Sequence, residues 1–388
     1  MREVVIVEAV RTPLGRRNGK LKDVHAIALG AAALTEVVKR PGIDPAEVED
    51  VVMGCVMQVG EQSLNIGRTA WLHAGFPIET PATTVDRQCG SSQQALHFAA
   101  NLIQAGTCDV TIAAGVESMT RVPMGSTASV EGVGRPATRE IRNRFELVSQ
   151  GISAEMIAEK WGITREECDE FSVESHRRAA RATDEGRFES QIIPVEITTD
   201  DGETEVFSRD EGIRPDSNVE TLAKLKPSFR EDGLITAGNS SQITDGAAAV
   251  LLMTPEKAAE LGVRPRARIV AQAVVGVDPV FMLTGPIPGT EKVLRKAGLT
   301  FADIDLVEIN EAFAPVVLAW KKEFNPDMEK VNVNGGAIAI GHPLGATGAR
   351  LATTLLNELE RTGGRYGLET MCCGGGLGTA TIIERLDG

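Results

Sequence analysis

No two cysteines in this chain are spaced as C-x-x-C, and none of the six has a histidine at metal-binding spacing. A zinc site and a disulfide framework are therefore not indicated, and a reducing, cytoplasmic setting is expected. No apolar run is long enough to cross a membrane. The chain opens on Glu3–Val7, which reads as a strand, without a basic lead or cleavage site. Positive charge is also in short supply: 40 Lys and Arg stand against 54 Asp and Glu, a net charge of −14. Phosphate backbones would repel such a chain, so general nucleic-acid binding is excluded, and any anionic ligand needs a local basic patch. What remains is ordinary globular composition, 42% hydrophobic and 24% charged, over 388 residues, enough for two or more full cores.

The stretch Val85–Leu96 places one cysteine, Cys89, at the mouth of a helix, because apolar residues follow at Ala95, Phe98, Ala99, Leu102 and Ile103 with the period of one buried face. Gly90, Ser91 and Ser92 leave the first N–H groups of that helix unshielded. Those groups and the helix dipole favour a thiolate, so a lowered thiol pKa is expected. A buried cysteine filling a gap beneath a helix would look the same, and Cys89 alone does not decide between the two.

The order of elements is alternating α/β. It begins with a strand over 3–9, a helix over 26–39, a strand over 49–54, the Cys89 helix and a buried strand over 109–119. The same order returns with a strand over 267–271, a helix near 290–297 and the run 298–308, which echoes 42–52. Gly345–Leu351 then falls opposite the Cys89 helix start, and the strand around 368–373 opposite the one ending at Gly115. The reading is two copies of one α/β unit whose helix mouths meet. Residues 120–240 are charged and punctuated by glycine, with helices over 154–161 and 165–186, and read as an insertion carrying local positive charge. The expected divisions are 1–119 for the first part of one half, 120–240 for the inserted loop domain, 241–265 for completion of the first half, and 266–388 for the second.

Three late motifs carry reactive side chains: Glu308–Phe313, and the glycine-rich turns Asn334–Gly345 and Met371–Gly378. Glycine there lets backbone N–H groups approach a ligand. Only His342, of the five histidines, has glycine turns on both sides.

Cys89 in C-G-S-S, N-E-A-F at 310–313, G-G-A-I-A-I-G-H-P-L-G-A-T-G at 335–348 and C-x-G-G-G-x-G at 372–378 resemble, in that order, the signatures of the thiolase family, and the resemblance runs from Val4 to Ile383. It implies a five-layer α-β-α-β-α core of two duplicated halves with a loop domain, assembled as homodimers or homotetramers. It also implies roles. Cys89 would be the nucleophile, His342 its base, and Cys372 the proton donor and acceptor for the α-carbon of acetyl-CoA. His342 and a water held by Asn310 would form one oxyanion hole, and the N–H groups of Cys89 and Gly374 the second. Ser241 in the turn Ala237–Gln242 would lie near the pantetheine of CoA, with Arg214, Thr221 and Phe229 nearer its nucleotide. Acyl-CoA and CoA are then substrates, and neither a metal nor a redox cofactor is needed.

Two residues depart from the family pattern, Gln242 where biosynthetic acetoacetyl-CoA thiolases usually have glycine and Gln150 where many members have methionine. Both positions are expected along the pantetheine or acyl path, so they favour a degradative 3-ketoacyl-CoA thiolase over a biosynthetic acetoacetyl-CoA enzyme. The stretches 61–66 and 268–273 are similar to actinobacterial thiolases of steroid side-chain degradation. Ketoacyl synthases share the fold but lack the second catalytic cysteine. A papain-like hydrolase would pass the acyl group to water. A non-catalytic acyl-CoA binding protein should have lost a reactive side chain, and none is missing here.

Overall fold

The computed structural model describes residues 2–387. The first half runs β1 (Val5–Arg11), β2 (Gly15–Arg16), α1 (Ala26–Lys39), β3 (Asp50–Gly54), α2 (Ile66–His73), β4 (Ala82–Val85), α3 (Ser91–Gln104) and β5 (Val110–Ser118). The insertion holds α4 (Arg139–Arg144), α5 (Gln150–Trp161), α6 (Arg165–Asp184), the hairpin β6 (Val195–Thr198) and β7 (Thr204–Phe207), and α7 (Val219–Leu222). The chain then returns through β8 (Thr244–Met253) and α8 (Pro255–Leu261). The second half follows as β9 (Ala267–Gly276), α9 (Pro286–Ala297), β10 (Leu306–Ile309), α10 (Ala314–Phe324), α11 (Thr347–Thr362), β11 (Tyr366–Cys373) and β12 (Leu377–Arg385).

Local sequence explains the boundaries. The Thr164 hydroxyl and the Glu167 carboxylate cap each other's backbone at the start of α6, and Ser149 caps α5, which stops at Gly162 with φ 59°. α9 starts at Pro286, earlier than its apolar spacing indicates, because proline suits a first turn; it ends at Gly298.

β8 pairs antiparallel with both β1 and β5, so the strand that follows the insertion fills the middle of the first half-sheet. β12 likewise pairs antiparallel with β11 on one side and β9 on the other. β5 and β8 are buried along their whole length, as strands covered on both faces must be. The two half-sheets are not separate. A short β1–β9 contact, Val5 opposite Arg268 and Ile6 opposite Ala267, joins them into one hydrogen-bonded path.

α3 and α11 form the middle layer. α3 packs on β3 and β5 on one side and meets β12 on the other, while α11 lies between β8 and β11. One core joins Ala95, Leu96, Ala99 and Ile103 of α3 to Ala352, Leu355 and Leu359 of α11, together with Val250, Leu252 and Ile383 from the sheets. Each fully buried leucine or isoleucine there contributes about 1.5–3 kcal/mol. The buried face of α3 is rotated from the one expected. Phe98 is 42% exposed, whereas Leu96 and Ala100 are fully enclosed, because helices lie close along that side. α1 and α2 cover the outer face of the first half, and α9 that of the second, completing five layers.

Candidate active site

The turn before α3 is held tightly. Gln88 adopts φ 50°, and its carbonyl accepts hydrogen bonds from Ser91 N–H (3.0 Å) and Ser91 Oγ (2.6 Å). This left-handed residue reverses the chain so that Cys89 faces inward before Gly90 opens the helix. Gly90 is required. A Cβ there would lie 2.6 Å from Cys373 Sγ.

Cys89 is 3% exposed, and burial pushes its thiol up to about 11, against the lowering expected from the helix mouth. The backbone N–H groups of Gly374 and of Cys89 itself, with the Gln150 side chain, pull the other way. Desolvation wins, so the resting nucleophile is a thiol that must hand its proton to a base. Those two backbone N–H groups are the pair that the family resemblance assigns to an oxyanion hole.

The base is prepared for that step. His342 follows Gly341, whose φ of 117° lets the Thr244 hydroxyl come under the turn and accept the His342 backbone N–H at 3.1 Å. Thr347 Oγ1 donates to the Pro343 carbonyl (2.8 Å), so its contact with His342 Nδ1 at 2.6 Å has the ring donating. That assigns the Nδ1–H tautomer and leaves the Nε2 lone pair as an acceptor, which receives the Asn310 Nδ2 N–H at 3.4 Å. Burial, aided by the Arg350 charge, pushes His342 down to about 3, so the ring is neutral. Asn310 Oδ1 is buried without a partner among the described residues, which fits the water expected there.

Contacts between the halves bring the His342 turn onto the mouth of α3. Ala349 N–H donates to Ser92 Oγ (2.9 Å), and Leu344 packs with Cys89, Met371 and Cys373. Glu117 on β5 ties the pieces together, accepting N–H groups from Val56, Met57 and Gly345 and the carboxamide of Gln62 at 2.7–3.0 Å. Cys372 and Cys373 point to opposite faces of β11. Cys373 joins the Cys89 cluster and Cys372 the cluster of Ala154, Met282 and Phe313 beneath the insertion. Burial first, then the neighbouring Cys89, raises the Cys372 thiol well above its ordinary value.

Arg214, Thr221 and Ala237 line one groove of about 610 Å³ with His176, whose Nδ1 accepts the Arg214 backbone N–H at 3.1 Å. Phe229 and Ser241 instead touch the 310–313 turn, Phe229 edge-on to Phe313 (6.0 Å) and Ser241 N–H donating to the Ala312 carbonyl (2.9 Å). Gln242 Nε2 meets the carbonyls of Gly212, Ile338 and Ala339 at 2.8–2.9 Å, fastening the Arg214 loop to the His342 loop. Thr347, His176 and Glu117 were not singled out in the sequence; only Thr347, five residues after His342 within G-A-T-G, carried a signal.

The thiolase N-terminal domain family matches residues 4–256 and the thiolase C-terminal domain family residues 263–385. The chain is 52% identical to the steroid 3-ketoacyl-CoA thiolase FadA6 of Mycobacterium tuberculosis, over 100% of this chain and 95% of that protein. It is 47% identical to a 3-ketoacyl-CoA thiolase of Marinobacter nauticus, over 99% of each. The crystal structure of the Bacillus anthracis acetyl-CoA acetyltransferase superposes with a TM-score of 0.92 at 43% identity, over 100% of this chain and 99% of that one. With its fold, its duplicated halves and its cysteines accounted for in this way, the chain belongs to the thiolase family.

Proposed function

We propose that this acyltransferase cleaves a 3-ketoacyl-CoA with CoA to acetyl-CoA and a shortened acyl-CoA, and runs the reverse condensation, through an acyl group on Cys89. The observation that carries the reading is the packing of buried Cys89 against Leu344 of the His342 turn and against Met371 and Cys373 at the end of β11, where Cys372 is the next residue in the chain. His342 Nε2 takes the Cys89 proton and the sulfur attacks the 3-keto carbon, whose oxygen is received by the two N–H groups. The C2–C3 bond then breaks. The electron pair passes to the thioester enolate, which faces His342, now protonated, and the Asn310 water, and Cys372 supplies the proton that makes acetyl-CoA. The CoA thiol gives its proton to the Cys372 thiolate and removes the acyl group, and the freed Cys89 thiolate takes back the proton held by His342. Electrons and protons balance without metal or redox cofactor.

The names of the relatives support a degradative substrate within fatty-acid β-oxidation chemistry, larger than acetoacetyl-CoA, with steroid side chains as one class. The Arg214 groove supports a site for the nucleotide of CoA. Six unpaired cysteines fit a cytoplasmic setting, and among the described residues no helix is long and apolar enough to cross a membrane. β4 is one of the two edges of the sheet, and with Phe98 exposed on α3 it suits pairing with a second copy in a homodimer or homotetramer. Mixing the enzyme with 3-ketoacyl-CoAs of graded size should release one acetyl-CoA per site and leave an acyl mass on Cys89 until CoA is added. Turnover without CoA would mark a hydrolase instead, and a preference for acetoacetyl-CoA would overturn the substrate class.

A further inference from the structure

Arg350 stands near the start of α11, three residues after Thr347 and so on the same face of the helix. It is fully buried, and its guanidinium meets Glu308 of β10, Nη1 to Oε2 at 3.5 Å, with both side chains out of solvent. In the parallel register of β10 and β11, Glu308 lies opposite Glu369, so the two carboxyls leave the sheet side by side on one face. α11 packs on both strands. Arg350 Nε, Nη1 and Nη2, Glu308 Oε2 and Glu369 Oε1 are all buried without a hydrogen-bond partner among the described residues. The Arg350 charge therefore has these carboxyls to answer it, and drawing the helix away from the strands would leave charge of both signs buried alone.

Two of these elements also carry a group that holds His342. Thr347 Oγ1 accepts the ring's Nδ1–H from α11, and Asn310, two residues beyond Glu308, reaches Nε2 from the end of β10. We propose that Arg350 is a positioning residue for the base: its ion pair with Glu308, beside Glu369, locks the mouth of α11 against the end of β10, so that Thr347 and Asn310 grip the His342 ring at its two nitrogens. The inference rests on the reading of His342 as the base. The Arg350 charge also acts on the ring directly, opposing its protonation and so keeping the lone pair available. The other charged groups that face these side chains are Glu311 after β10, Glu358 on α11, and the Arg11–Asp210 pair that joins β1 to the insertion. Exchanging Arg350 or Glu308 leaves all of these in place.

The test is the rate at which acetyl-CoA acylates Cys89, read by rapid quenching and mass spectrometry from about pH 4 to 8, in the native enzyme, Arg350→Met, Arg350→Lys and Glu308→Gln. In Arg350→Met the saturating rate at neutral pH should fall roughly tenfold or more, while the half-saturating acetyl-CoA concentration stays within about twofold. Its acid limb should also move up by about one pH unit, because the charge that opposes a proton on His342 has gone. Lysine keeps that charge and should return the limb to its native place. Glu308→Gln should slow the step too, but with its limb unmoved or lower, since it removes a negative charge. Loosened packing would act alike in both, so an upward shift in Glu308→Gln as well, or a native rate and limb in Arg350→Met, would overturn the proposal. Should Arg350→Met fail to fold, Arg350→Met/Glu308→Gln takes its place, with one charge of each sign removed. A slow rate with a near-native limb is expected there, and a native rate overturns the proposal. If His342→Gln acylated Cys89 at the native rate, the reading of the base itself would fall, which is a different outcome from an unaltered Arg350→Met in an enzyme that His342→Gln silences.

Discussion

Thr347 has one hydroxyl proton, and the Pro343 carbonyl holds it, so the hydroxyl oxygen is left to fix the His342 ring. Thr347→Val keeps the shape but leaves Nδ1–H without an acceptor. Turnover should fall about 10- to 100-fold, the equivalent of one lost buried hydrogen bond, while Thr347→Ser stays near native; steady-state kinetics with saturating CoA would read this. The two adjacent thiols separate in the same way. Cys372→Ser should lower turnover by orders of magnitude yet still accept one acyl group on Cys89 from a simple acyl-CoA, because that step needs no proton at an α-carbon. Cys373→Ser should keep turnover and cost about 1 kcal/mol in chemical denaturation, since the Gly90 N–H and Thr379 side chain already face that sulfur and can serve a hydroxyl. Cys89, His342 and Cys372 could be singled out in the sequence because each stands beside glycines that allow a close backbone approach, whereas Asn310 has no glycine near it and was drawn from the N-E-A-F resemblance. The resting state of Cys89 was not legible. A helix mouth is visible in spacing, but the burial that outweighs it comes from β5, β11 and the 342–345 turn, far away along the chain.

Among the elements, the segment that carries Arg214 is secured by one enclosed ion pair. Asp210 accepts Arg11 Nη1 and Nη2 at 2.7 and 2.8 Å, and also the Leu14 N–H at 2.9 Å, with both side chains out of solvent. Asp210→Ala would leave the Arg11 charge buried and unpaired, a loss of about 3–5 kcal/mol in urea unfolding. It should also raise the Michaelis constant for CoA, because the Arg214 loop loses its tie to β1. Helices and amphipathic strands of the first half were readable from period and punctuation, and the echo of 42–52 in 298–308 is a shared turn, Gly42 and Gly298 both having positive φ. β8 and β12 were not assigned. Ala247–Met253 is a continuous apolar run, which looks alike in a buried strand and a buried helix. The partners of Gln242 were hidden for a related reason, since the three carbonyls that hold its amide come from two other loops.

For the molecule as a whole, burial keeps His97 near 3 and His176 near 4, well below the ordinary 6.5, as it does His342. An unfolded chain would take up these protons around pH 6.5 while the folded one refuses them. Each histidine therefore withdraws stability as pH falls below 6.5, at up to about 1.4 kcal/mol per pH unit, and withdraws none above about 7. Glu308, raised by burial from 4.5 to about 8, works in the opposite sense between those values, so the difference between two proteins is the informative quantity. His97 Nε2 meets Thr381 Oγ1 at 2.8 Å, a contact that glutamine can reproduce. His97→Gln should match the native protein to within a constant offset above pH 7 and gain on it by up to about 1.4 kcal/mol per unit below 6.5, as read by urea midpoints. The placement of β12 has a further bearing, on how such a chain is made. Until residues 377–385 have left the ribosome, β9 and β11 each present an open edge with no partner between them, so the second half-sheet stays split while its first half can already be complete. A nascent chain is then exposed to edge-to-edge pairing with its neighbours until that strand emerges, which makes those two edges a natural point for a chaperone's attention.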